Sequence, residues 1–144
     1  MTARLGFALV SIAVVAARAD LPLIKAEPRA EKRVKLALEN ADQALKLARE
    51  AYDKGDFAGV SGLLVEVKES VELANDSLAG SGKKASRSPK WFKYAELKTS
   101  ELLRRIDSFD RDMNFADRPM LEPVKTTLQK VHDALLDAIM EKGK

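Results

Sequence analysis

Between Val34 and Ala138, apolar side chains return every three or four positions, and that rhythm leaves few folds open. It is the period of an α-helix with one face turned inward, and no stretch alternates as a half-buried strand would. In the first segment Val34, Leu38, Ala41, Leu45, Ala48 and Tyr52 form one stripe. Ala37, Ala44 and Ala51 flank it at intervals of seven, and side chains that small let a neighbouring helix come close. The spacing predicts a helix from about Pro28, a residue suited to the first helical position, to Lys54, with Gly55 as its stop. Asp56 then stands as N-cap to a second stripe of Phe57, Val60, Leu64, Val67, Val71, Ala74 and Leu78. So short a connection forces an antiparallel helical hairpin.

Residues 79–88 are rich in Gly, Ser and Lys and read as a flexible linker. Ser88-Pro89 supplies a cap and a first-turn proline for a third helix, lined by Trp91, Ala95, Leu102, Ile106, Phe109 and Met113, with Lys98-Thr99 as a polar break. Pro119 and Pro123 mark a polar turn. A fourth helix, striped by Val124, Leu128, Val131, Leu135 and Ala138, runs from there toward Gly143. The expected fold is all-α, an antiparallel up-down-up-down four-helix bundle. The alternative is two loosely coupled helical hairpins.

The first nineteen residues stand apart. Arg4 precedes an uncharged run from Leu5 to Ala17, and Ala17-Arg18-Ala19 places small residues where a signal peptidase cuts. The run spans roughly 20 Å as a helix, short of the roughly 30 Å of a bilayer core. Residues 1–19 are therefore expected to be a signal peptide, and residues 20–144 the bundle, exported to a periplasmic or extracellular space. The full chain carries 25 basic and 22 acidic residues, a net charge of +3. Without Arg4 and Arg18 the balance is 23 against 22, or +1, which argues against a nucleic-acid binder. There is no Cys, so disulfides, thiolate metal sites and Cys nucleophiles are excluded.

Three local patterns bear on function. From Gly80 to Arg105 eight cations face two acids, whereas Gly55 to Ala79 holds five acids and one cation. Lys83, Lys84, Arg87, Lys90, Trp91 and Lys93 are the candidate partner- or anion-binding set, because aromatics beside cations suit a membrane interface or an acidic partner. The other reading is a solvated linker whose charges face the acidic second helix, with Trp91 plugging the bundle end. Asp110, Asp112 and Asn114 resemble the first, third and fifth ligands of an EF-hand calcium loop. Phe115 and Leu121 stand where that loop needs Gly and Glu. Leu47-Ala48, Gly55-Asp56-Phe57, Val60, Leu64 and Val67 resemble one tetratricopeptide repeat unit, a helix–turn–helix that stacks on copies of itself. No second copy follows.

Catalytic patterns are thin. Gly80-Ser81-Gly82-Lys83 lacks the Gly and the Ser/Thr of a phosphate loop, since Ser77 and Lys84 hold those places. Gly59-Val60-Ser61-Gly62 is one residue short of a nucleophile elbow. The only histidine, His132, lies off its helix's main stripe and reads as a boundary residue. Gly59 and Gly62 inside the second helix read as marks of a close helix crossing or of a local weak point. The sequence thus points to an exported, non-catalytic bundle, without a cofactor, that binds a protein or an envelope component, with membrane-surface contact open. The alternative is a small-ligand or metal-responsive bundle.

Overall fold

The computed structural model describes residues 20–82, 84, 85 and 87–141. The signal peptide expected over residues 1–19, Lys83 and the helix stop at Gly143 lie outside the described residues. Among the described residues five α-helices follow in order: α1 (Asp20–Lys25), α2 (Ala30–Asp53), α3 (Phe57–Gly80), α4 (Pro89–Asp112) and α5 (Glu122–Met140). A 3-10 segment, Phe115–Leu121, joins α4 to α5. The last four helices form a four-helix bundle. One continuous core draws Val34 to Ala48 from α2, Val60 to Leu78 from α3, Phe92 to Phe109 from α4 and Val124 to Leu135 from α5. The hairpins are therefore not loosely coupled.

The first hairpin forms as its sequence dictates. Ala37, Ala41, Ala44 and Ala48 are all fully buried, and the α2–α3 interface is the most extensive in the molecule. The turn between them is set by Gly55, whose φ of 75° is the left-handed conformation that glycine adopts without strain. The Asp56 amide donates to the Ala51 carbonyl at 2.9 Å and the Gly55 amide to Tyr52 at 3.0 Å, closing a Schellman motif. Asp56 then caps α3 by accepting from the Gly59 amide at 3.0 Å. A Cβ on Gly59 would lie 2.3 Å from that capping carboxylate. The glycine makes room for the cap, not for a crossing helix.

The second hairpin departs from the simple pattern in two places. The stripe of α4 is Phe92, Ala95, Thr99, Leu102, Ile106 and Phe109, all buried, with Trp91 only half-buried at its edge. Thr99 is not a break. It is fully buried, and its hydroxyl donates to its own helix at the Ala95 and Glu96 carbonyls, so it enters the core with its polar group satisfied. The polar turn is a 3-10 helix whose last residue, Leu121, is fully buried.

Each hairpin is antiparallel, but the way they stack is not legible in the periodicity. Around the bundle the order is α2, α3, α5, α4; α3 and α4 lie on a diagonal and touch little. Asp42 pairs with Arg105 and Arg49 with Asp112, so the residue number rises together on α2 and α4. These two neighbours run parallel. So do α3 and α5, where Leu64 shares a groove with Val124, and Asn75 shares one with Lys130 further along. The connection after α3 thus crosses the bundle end.

Three expectations about boundaries shift. The segment before Pro28 is not a bare lead-in but the short helix α1, which buries Leu21 and Ile24. Helix α2 begins at Ala30, after an extended Arg29 whose amide donates to Glu27 at 3.2 Å. Helix α3 runs on to Gly80, and the described part of the linker is anchored by buried Ala85, with the Arg87 and Ser88 amides both donating to the Lys84 carbonyl at 3.0 Å.

Candidate functional site

The turn at Lys84–Ser88 delivers the chain directly into α4, so the basic stretch continues from turn to helix. Lys84, Arg87, Lys90 and Lys93 are all exposed; Lys83 lies outside the described residues. On α4 the exposed residues opposite the core stripe are Lys90, Lys93, Leu97 and Arg104, spaced 3, 4 and 7, with Ser100 and Glu101 half-exposed on the same side. Leu97 is 65% exposed, an uncovered aliphatic side chain set between cations. No carboxylate among the described residues pairs with Lys84, Arg87, Lys90, Lys93 or Arg104. Farther along, Lys98 is held by Glu101 at 3.8 Å and Arg105 by Asp42.

Trp91 flanks this face on the side of α2. The Lys90 ammonium lies 5.6 Å from its ring centroid, and the Tyr94 ring meets it edge-on at 5.9 Å. Trp91 closes one wall of a hollow of about 460 Å³ whose other wall is the start of α2: Arg29, Lys32, Lys35 and Leu36, with Glu31 and Glu39. The sequence reading missed those α2 cations, because nothing in spacing alone brings residue 32 beside residue 91. Two of them share a carboxylate. Glu27 accepts from Arg29 at 3.0 Å and lies 3.8 Å from Lys32. The Arg29 hydrogen bond holds its carboxyl below the ordinary range. Burial, followed by the charges of Glu39 and Glu101, pushes the Tyr94 phenol up.

The expectation that the α4 cations face the acidic helix is overturned by the stacking. Helix α3 is diagonal to α4, and its exposed acids Glu69, Glu72 and Asp76 border the α5 side. The α4 cations and the α3 acids therefore do not face each other across a helix interface. Trp91 does not plug the bundle end; Phe92 holds the core position and Trp91 covers its flank.

The calcium-loop pattern is not assembled. Asp110 and Asp112 belong to the last turn of α4. Asp110 reaches Lys125 of α5 at 3.3 Å, whereas Asp112 reaches Arg49 of α2. The Asn114 amide donates to the Tyr52 hydroxyl at 2.9 Å, and that hydroxyl donates to Asp117 at 2.8 Å. The two carboxylates therefore point to different helices, and Asn114 is held through its backbone amide. Among the described residues no three metal-ligating side chains gather. His132 is the half-buried partner of Glu96, 3.0 Å away, and ties α5 to α4.

One polar feature lies deeper. Glu66, Ser70 and Ser77 are buried on α3 facing α2. The Asn40 amide donates to Glu66 at 3.1 Å and to Ser70 at 2.9 Å, and Arg33 donates to Ser77 at 2.7 Å. Polar residues at positions 66, 70 and 77, flanking an apolar stripe at helical spacing, were the available sign of this seam. It joins two helices of one hairpin. Compared with known protein families, with characterised proteins and with solved structures, the chain gives no match, to the tetratricopeptide repeats or to any other group.

Proposed function

We propose that this protein is an exported, non-catalytic helical bundle that binds a macromolecular partner or the cell envelope, and that the outer face of α4 is the binding surface. The observation that carries this reading is the unneutralised run Lys84, Arg87, Lys90 and Lys93 beside half-buried Trp91 and exposed Leu97. Cations left without carboxylate partners attract an anionic surface over several ångströms. Large apolar side chains left uncovered beside them supply contact area once the surfaces meet. The interior supports the same division of labour. Its polar groups Glu66, Ser70, Ser77 and Thr99 are engaged in joining or lining helices. Export rests on the leader pattern of residues 1–19. Among the described residues no helix is long and apolar enough to cross a membrane.

The test is fractionation of host cells expressing the chain. The wild type is expected in the envelope fraction and extractable by high salt, because exposed charge attraction is screened. Replacing Lys84, Arg87, Lys90 and Lys93 by Glu together should release it. Envelope retention unaltered by those four changes, or no envelope association at all, contradicts the proposal.

A further inference from the structure

We infer that the partner of the α4 face is the anionic surface of a lipid bilayer, with α4 lying along it and Leu97 and Trp91 entering the interface. This inference rests on the binding reading above and names the partner class. Shape argues first. The cations of α4 are not gathered round a pocket; Lys90, Lys93 and Arg104 lie on one convex helix face over about 21 Å, where the half-exposed Glu101 is tied to Lys98, and Lys84 and Arg87 precede them in the turn before the helix. A row on a convex face matches a plane of phosphates, whereas an acidic protein segment would be better held in a concave site.

The apolar members argue second. Leu97 is 65% exposed in the middle of the row, with Lys93 one turn before it and Arg104 two turns after it. On a protein kept in water that side chain has no cover. On a membrane its neighbours can extend their charged ends to the phosphates while the leucine enters the acyl boundary. Trp91, with Tyr94 edge-on to it and Lys90 over its face, sits at the margin where aromatic rings collect at bilayer surfaces. Third, the stacking of the hairpins turns Glu69, Glu72 and Asp76 toward the α5 side, so a flat anionic surface approaching α4 is spared repulsion from that helix.

The chain has a single Trp, so intrinsic fluorescence reads Trp91 alone. Protein isolated from its host, in the processed form found there, is titrated with phosphatidylglycerol vesicles and with phosphatidylcholine vesicles. The expected result is a blue shift and saturable binding on the anionic vesicles alone, reversed by salt. Lys90→Ala with Lys93→Ala should weaken that binding about 25-fold, at about fivefold for each surface cation removed. Leu97→Ser should weaken it while leaving its salt dependence in place. Circular dichroism checks that each variant is folded. Equal binding to both vesicle types, or anionic binding indifferent to the lysine changes, overturns the inference. If vesicles fail while salt-sensitive envelope retention persists, the partner is an acidic protein; the lipid assignment falls and the broader reading stands. If both fail, both fall.

Discussion

The two hairpins hold their helices together by different means. Between α2 and α3 the contact is rich in alanines on the α2 side, with the polar groups Asn40, Ser70, Glu66, Arg33 and Ser77 hydrogen-bonded across or beside the seam. Backbones can approach closely there. Between α4 and α5 the contact is built from Phe109, Leu102, Ile106, Leu128, Val131 and Leu135, with ion pairs at its flanks, Lys125–Asp110 and His132–Glu96. Larger side chains keep those helices farther apart. One hairpin is thus closely seamed, and the other is more widely spaced and carries the basic outer face of α4. The difference teaches that residue size in a helical seam sets how closely two helices approach.

Four perturbations bear on that contrast. The largest is Phe109→Ala. Phe109 is 1% exposed, meets Tyr52 edge-on at 5.7 Å and lies beneath Arg49, so it binds the second hairpin to the first. Its loss should cost about 3–5 kcal/mol in denaturant unfolding; a cost no greater than that of a surface change would mean the hairpins do not share a core. Next is Ala44→Leu, which forces three carbons into the alanine seam and should cost about 1–3 kcal/mol. Neutral behaviour there would show that α2 and α3 are not in close approach.

A smaller effect is expected from the Lys125–Asp110 pair, whose coupling in a double-mutant cycle should be about 0.2–1 kcal/mol and shrink with added salt. The mildest perturbation is alkaline pH. For Tyr52 the Asn114 amide bond favours the phenolate, but burial together with the Asp117 hydrogen bond and charge outweighs it, and the phenol titrates above its ordinary value. Burial raises that of Tyr94. A raised folded value means the neutral form is favoured in the fold. The stability it contributes is whole below the unfolded tyrosine pKa and is lost as pH rises through the folded one. Ultraviolet difference titration should therefore show both tyrosines ionising later in the folded than in the unfolded chain. Ionisation at the unfolded value would break the Tyr52–Asp117 link to the α4–α5 corner.

Much of the architecture was legible because helices announce themselves through period and punctuation. Gly55 and Asp56 act as turn and cap in the way their types imply, and the alanines at sevens marked the close seam. What failed did so for physical reasons. Thr99 was read as polar because its hydroxyl counts as polar in a pattern, yet inside a helix it bonds to its own backbone and buries freely. Asp110, Asp112 and Asn114 have ligand spacing, but the last turn of a helix fans alternate residues to different sides. The binding face was half legible. Its cations lie close together in sequence, whereas the α2 residues across the Trp91 hollow depend on which helices become neighbours, and stripe spacing is blind to that.

The central claim is the stacking itself: α2 and α4 run parallel, which places α4 diagonal to acidic α3 and frees its basic face. The chain has no Cys, so pairs can be introduced without background. A short bis-maleimide linker applied to Asp42→Cys with Arg105→Cys, and to Arg49→Cys with Asp112→Cys, should crosslink both pairs efficiently within one chain. The swapped pairs, residue 42 with 112 and residue 49 with 105, should not crosslink. Efficient crosslinking of the swapped pairs, with the first two silent, means the helices are antiparallel and contradicts the account.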